Sequence, residues 1–310
     1  MKILIIGINS QDGFYTFKKF INKSNYEIYG TKRLIKPEDK RIFFKAKLIK
    51  ENNLFSLLEK KNFKIIFNFS AINTLSKSEK NSNETLEING TRVFKILNSL
   101  KDKKTKFFQA GSIEQDFFKN KKINFSQSST PYSLSKQFSH LCVKYFRAKH
   151  NIFAVNAILY NHDSVRRRND FFMKKFSVNI KKWKRTKTPF EVYNIDSYKD
   201  WSHSKDFVDC YYKIINFKKP FDWVIGSGKK NTVGKVCELF LNQANIKYYK
   251  NITKKKTDYY ETNSKKKIFV GYKNNQKFYH DKRSIKKTQK LLNWAPKIKL
   301  QQIVKEIYEK

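Results

Sequence analysis

Cysteine is scarce in this 310-residue chain: Cys142, Cys210 and Cys237 stand far apart, with no Cys-x-x-Cys and no Cys/His ligand spacing. That gives neither a disulfide framework nor a zinc or other metal site, and it fits a reducing cytoplasm. Long apolar runs are missing too. Nothing approaches the roughly 20 residues that span a bilayer, and the opening run at 3–6 is too short for a signal-peptide core. Acidic residues are few, 26 against 67 basic ones, which leaves a formal net charge of +41. Yet arginine is rare, since only nine of the 67 are Arg. Dedicated nucleic-acid surfaces draw on Arg for bidentate contacts and concentrate it, whereas Lys is scattered here, with small clusters at 181–187 and 254–256. The charge therefore reads as a general surface bias of the kind an AT-biased coding sequence produces. No specific nucleic-acid partner and no membrane partner is expected.

Enough apolar material remains for a core, with 39% hydrophobic and 16% aromatic residues. Strand-like runs at 3–6, 27–31, 64–71, 106–112 and 152–160 alternate with helical patterns near 12–21, 54–60, 87–100 and 132–149. Alternating βα units with apolar strands predict an α/β fold, a doubly wound parallel sheet covered by helices on both faces. In such a fold, ligands gather at the carboxyl ends of the strands. Beyond Tyr160 the regularity falls away. Residues 1–160 are expected to form the sheet domain and 161–310 mainly a smaller substrate-binding region, with some segments at about 190–228 returning to the core.

Glycine is also sparse, nine residues in all, and two of them frame the first turn, "GINSQDG". Gly7 lets the chain turn out of the strand and Gly13 lets the next helix pack close, its amides facing a pyrophosphate. Ser10 stands where a third glycine is usual. At the end of the second strand, "YGTKR" puts Lys32 and Arg33 where an acid would select NAD and a cation the 2′-phosphate of NADP. Farther on, "TPYSLSK" sets Tyr132 and Lys136 one helical turn apart, so the ammonium can lower the phenol pKa. The spacing alone is uninformative: about three Tyr-x-x-x-Lys pairs are expected by chance, and there are three, Tyr15/Lys19, Tyr132/Lys136 and Tyr145/Lys149. Only Tyr132 begins a helix after a Ser-Thr-Pro turn and follows a strand ending "QAGSIEQ", where Ser112 and Glu114 would sit above the sheet. A hydroxyl, a carboxylate, a phenol and an ammonium at strand ends suit hydride and proton chemistry.

On these segments, together with "NFSAINT", "LYNHDSVRR", "DSYKDWSHSKDFV" and "LLNWAPKI", the chain resembles the extended short-chain dehydrogenase/reductases of the NAD-dependent epimerase/dehydratase family. Within them it is most similar to the GDP-mannose 4,6-dehydratases. The resemblance implies a Rossmann-type fold, NADP as cofactor and a nucleotide-sugar substrate, GDP-mannose. It further implies a lyase reaction that makes a 4-keto-6-deoxy sugar for deoxysugar biosynthesis, and a homo-oligomer. Carried over residue by residue, it makes Ser112, Glu114, Tyr132 and Lys136 catalytic. Gly7, Ser10, Gln11, Asp12, Gly13, Arg33, Leu48, Ser70, Ala71, Lys136, His162 and Arg167 fall at cofactor-binding positions, and Asn161 and Lys199 at substrate-binding ones. Lys47 replaces the acid of an Asp-Leu pair that contacts the adenine, Leu34 replaces a second Arg, and an Arg-Pro-acid segment is not recognisable between Tyr260 and Asp281. Two rivals stay open: a sugar-nucleotide epimerase or reductase of the same fold, and a basic binding protein on a diverged enzyme scaffold.

Overall fold

The structure, a computed structural model, describes residues 1–23, 25–115, 118–119, 122–123, 130–274 and 280–310. The chain divides into two compact units. The first comprises Met1–Leu159, Phe207–Ile225 and Thr288–Trp294, and the second Tyr160–Asp206, Gly226–Lys287 and Ala295–Lys310.

Seven strands make the sheet of the first unit: β1 (Lys2–Ile6), β2 (Glu27–Lys32), β3 (Ala46–Lys50), β4 (Ile65–Asn68), β5 (Lys106–Ala110), β8 (Ala154–Leu159) and β13 (Asp222–Ile225). A two-residue pair, β6 (Phe118–Lys119) with β7 (Lys122–Ile123), lies between β5 and β8 in the chain. All neighbours in the large sheet are parallel, in the order β13-β8-β5-β4-β1-β2-β3. The order reverses between β1 and β4, the switch point where a doubly wound sheet opens a crevice beyond its strand ends. Alternate residues of the apolar strands bury on opposite faces. Ile3, Ile5, Phe67 and Phe108 enter one cluster with Phe17, Phe20 and Tyr211. Leu4, Ile6, Ile66 and Phe107 enter another with Val93, Val143 and Phe146. The helices are α1 (Gln11–Ile21), α2 (Pro37–Ile42), α3 (Leu54–Lys60), α4 (Leu75–Lys80), α5 (Ser82–Leu86), α6 (Arg92–Asn98) and α7 (Pro131–Lys149), with a π-turn at Glu87–Thr91 joining α5 to α6.

The expected doubly wound sheet is present, but two stretches differ from the sequence reading. Between the runs at 27–31 and 54–60, where the sequence pattern predicts no element, the chain forms α2 and the edge strand β3. Beyond Tyr160, where the pattern loses its regularity, the second unit contains a four-stranded sheet. There β10 (Phe190–Val192) runs parallel to β17 (Lys267–Tyr272), which pairs antiparallel with β16 (Lys256–Glu261) and so on to β15 (Tyr248–Ile252). Helices α8 (Phe172–Thr186), α10 (Val233–Gln243) and α12 (Leu300–Glu309) contact one another and share a core with this sheet. Phe176, Trp183, Phe240, Phe269, Ile303 and Ile307 are among its members. Short pairings of β9 (Asn161–Asp163) with β12 (Trp201–His203) and of β11 (Tyr198–Lys199) with β14 (Asn231–Thr232) complete the strands among the described residues. Two further helices are α9 (Ser204–Ile215) and α11 (Lys282–Leu292). No helix among the described residues is long and apolar enough to cross a membrane.

Candidate functional site

β1 runs straight into Gly7, whose φ of +78° is strained for any residue with a side chain. A Cβ there would also stand 3.0 Å from the backbone nitrogen of Ser70, just past β4. One turn later, a Cβ on Gly13 would overlap the carbonyl oxygen of Gly7. Gly7 therefore lets the segment past β4 approach closely, and Gly13 lets α1 pack on the end of β1. Gln11 and Asp12 are buried in the first turn of α1, and Ser10 is its N-cap, with Oγ accepting from the Gly13 amide at 3.0 Å. The positive end of the helix dipole suits an anion, so this turn fits the pyrophosphate of a dinucleotide. Ser10 nevertheless occupies one donor, the Gly13 N–H, that a glycine would leave open.

Past β2, β3 and β4 the chain presents Arg33, Glu51 and Ser70, linked to one another. Arg33 Nε lies 3.4 Å from Glu51 Oε2 and its Nη2 3.2 Å from Glu84 Oε1. Glu51 Oε1 accepts from Ser70 Oγ at 2.8 Å and from Arg92 Nη1. Lys32 is paired with Asp39 of α2. Leu48 and Ala71 are half-buried, Leu48 against the core, and Lys47 pairs with Glu27 on the neighbouring strand at 2.6 Å.

Ser112 is buried two residues beyond β5, and Glu114 stands exposed on the single 3-10 turn that follows, its amide donating to Ser112 Oγ at 3.2 Å. Helix α7 packs on that turn. It starts cleanly because Pro131 needs no amide partner at the first helical position and Thr130 Oγ1 caps the Ser133 amide at 3.1 Å. Tyr132 is thereby fixed in the first turn and Lys136 in the second, the ammonium 5.9 Å from the Tyr132 ring centre. Farther along, Arg147 donates to Asp222 of β13 at 3.0 Å and to Ala154 O at 3.1 Å, and His140 donates to Asp222 at 2.9 Å. Burial alone would raise the Asp222 pKa, but these donors hold it below its ordinary value. The far end of the helix is thus pinned to the sheet.

Lys136 is buried, and desolvation pushes its pKa down to about 8. Its Nζ donates to Ala110 O at 2.7 Å. The same carbonyl accepts from Gln109 Nε2 at 3.1 Å, and Gln109 Oε1 accepts from Asn68 Nδ2 at 2.8 Å. Sequence reasoning missed this buried chain, although Asn68 and Gln109 are its signal, as the polar residues in otherwise apolar strands. It also missed Asn89 in the π-turn, which exchanges two 2.9 Å bonds with the backbone of Ile72 and donates to Ser135 Oγ of α7. Asn89 so holds the loop carrying Ser70 and Ala71 to α7.

The remaining candidate residues lie in the second unit. Asn161 and His162 sit on β9, where His162 Nδ1 donates to Tyr160 O at 2.8 Å. Arg167 is ion-paired with Asp163 at 2.8 Å and lies 3.7 Å over the Phe171 ring. Lys199 ends β11, opposite Asn231. The next residue, Asp200, was not foreseen. Fully buried, it accepts from Ser227 N, Ser227 Oγ, Gly228 N and His280 Nε2 at 2.6–3.0 Å. The stretch searched for an Arg-Pro-acid segment includes 275–279, which lies outside the described residues. Among the described residues, no cluster of three or more His, Cys, Asp or Glu is placed to hold a metal ion.

A family model described as GDP-mannose 4,6 dehydratase matches residues 4–307. A GDP-mannose 4,6 dehydratase of Dictyostelium discoideum is 27% identical over 99% of this chain and 94% of its own length. One of Cricetulus griseus is 26% identical over 99% and 90%. Among solved structures, a UDP-glucuronic acid 4-epimerase of Bacillus cereus in complex with UDP-glucuronic acid and NAD superposes with a TM-score of 0.78 at 15% identity, covering 100% of this chain and 98% of that one. A dTDP-glucose 4,6-dehydratase of Bacillus anthracis in complex with NAD gives 0.76 at 14%, covering 100% and 96%. RMD from Pseudomonas aeruginosa complexed with NADPH gives 0.73 at 14%, covering 99% and 97%. At such identities the structural likeness speaks for the fold alone.

Proposed function

We propose that this chain, which belongs to the GDP-mannose 4,6 dehydratase family, is a hydro-lyase that converts GDP-mannose to GDP-4-keto-6-deoxy-mannose with no net redox change. When bound, NADP supplies the hydride acceptor for C4 of the hexose and the hydride donor for C6. Ser112 hydrogen-bonds the sugar O4, and Tyr132 takes its proton as the C4 carbonyl forms. The Lys136 ammonium stabilises the phenolate, more strongly for being buried. Once C4 is a ketone, the C5 proton is acidic. Glu114 removes it and passes it to the departing C6 hydroxyl, so that the C6–O bond breaks, a C5=C6 bond forms and water leaves. A proton then returns to C5 as C6 is reduced. Residues of the glycine turn with Arg33, Leu48, Ser70, Ala71, Lys136, His162 and Arg167 serve the cofactor, and Asn161 and Lys199 the sugar nucleotide.

The observation that carries this reading is Glu114, an acid two residues from Ser112 with its own amide bonded to the Ser112 hydroxyl. A 4-epimerase or 4-reductase leaves the C5 proton in place and needs no base for it. Incubation with GDP-mannose and NADP should yield a sugar nucleotide lighter by one water on mass spectrometry, and an unchanged mass would overturn the assignment. Glu114→Gln should stop water loss while slow reduction of the cofactor persists. Dehydration surviving that change would mean that another group takes the C5 proton.

Self-association belongs to the same proposal. Leu134, Phe138, Leu141 and Tyr145 form an exposed apolar stripe along α7, with Phe94 of α6 also exposed, at the i, i+4, i+7, i+11 spacing of one helix face.

A further inference from the structure

We propose that Glu51 sets the choice between NAD and NADP, a step that rests on the reading of this chain as a nicotinamide-dependent enzyme. The adenosine ribose of such a cofactor meets the end of the second strand, where an acid accepts from a 2′-hydroxyl and an arginine accommodates a 2′-phosphate. Arg33 is the first residue beyond β2, and by itself it favours the phosphate. It does not act by itself. Its guanidinium lies between two carboxylates, 3.4 Å from Glu51 and 3.2 Å from Glu84. Glu51 is the inner of the two, its side chain 11% exposed against 50% for Glu84, and it is the one that joins three strand ends. One oxygen faces Arg33 past β2, while the other accepts from Ser70 past β4 and from Arg92. Lys32, the other cation of the segment, is held by Asp39.

The formal charges of this group cancel, two arginines against two glutamates and Lys32 against Asp39. A chain of net charge +41 thus offers a 2′-phosphate no surplus positive charge where the family's cofactor would need it. A phosphate placed on Arg33 would also stand beside a mostly buried carboxylate, and like charges in a partly desolvated site repel strongly. A 2′-hydroxyl is in the opposite position, since it can donate to Glu51. Removal of the Glu51 charge leaves Arg92 and the Ser70 hydroxyl without that carboxylate and Arg33 with only the half-exposed Glu84, a set of donors with net positive charge that suits a phosphate. Glu51 therefore weakens NADP binding selectively.

The test is equilibrium titration with NADPH and NADH, followed by the fluorescence of the reduced nicotinamide, at one fixed ionic strength. Glu51→Gln should tighten NADPH by roughly tenfold and leave NADH unchanged or weaker. Arg33→Ala in the Glu51→Gln background should erase the gain, so that the two changes are strongly non-additive. Should Glu51→Gln not fold, Glu51→Ser, which removes the same charge, decides in its place: it should raise the NADPH/NADH affinity ratio by about tenfold, and an unchanged ratio would overturn the inference. Normal binding of both cofactors with an unchanged ratio in Glu51→Gln would overturn it while leaving the proposed function intact. Failure of the wild-type protein to bind either cofactor would overturn both.

Discussion

Replacing Lys136 by methionine should make the protein more stable at neutral pH while abolishing its proposed activity. Desolvation pushes the buried ammonium from an ordinary 10.5 down to about 8. In free-energy terms that fall corresponds to about 3 kcal/mol by which folding disfavours the charged form. Below pH 8 the side chain is protonated both folded and unfolded, and the whole cost is present. Between pH 8 and pH 10.5 the unfolded chain holds a proton that the folded chain lacks, so wild-type stability rises with pH across this window. Above it both states are neutral and the cost is gone. Against this stands the bond from Nζ to Ala110 O at 2.7 Å, whose loss costs about 1 kcal/mol. That carbonyl is not orphaned by the change, because Gln109 Nε2 still donates to it at 3.1 Å. The variant should therefore be more stable than the wild type by about 2 kcal/mol at pH 7 and less stable by about 1 kcal/mol above pH 10.5. Urea unfolding of both proteins at the two pH values measures this, and every other titrating group cancels in the difference. A difference that does not change with pH, or a variant less stable at pH 7, would refute the reasoning.

Ser10→Gly should bind the reduced cofactor several-fold more tightly, because it frees the Gly13 N–H that the Ser10 hydroxyl now occupies. The lost cap costs only a few tenths of a kcal/mol in helix stability when glycine replaces serine. Fluorescence titration decides, and equal or weaker binding would mean that the hydroxyl itself contacts the phosphate. Leu141→Glu places a charge in the middle of the exposed α7 stripe. It should leave the unfolding free energy within about 0.5 kcal/mol of wild type and yet shift the sedimentation profile to monomer. A wild-type protein already monomeric at micromolar concentration would remove the stripe from any role in assembly.

The strands read most easily were those buried on both faces, because Ile3 to Ile6 or Phe107 to Ala110 expose no side that lysine can occupy. β3 was missed for the opposite reason. As the edge strand it buries little, and Lys47 and Lys50 take its exposed positions, which hides the alternation. β15 fails in the same way, with four of its five residues exposed. Tyr132 and Lys136 could be found because proline and threonine mark the start of α7, a local signal that survives any surface composition. The partners of Lys136 could not, since Asn68, Gln109 and the Ala110 carbonyl come from two strands, and their meeting depends on register. Arg33 carries the same lesson into electrostatics. Beside a total of +41, its type and position alone argued for an open cation, and the acids that answer it, Glu51 and Glu84, are distant in sequence. With screening over about 10 Å at ordinary salt, the sum over the surface governs solubility and loose attraction. The field at a bound phosphate is set by which carboxylates the fold brings within a few ångströms of it.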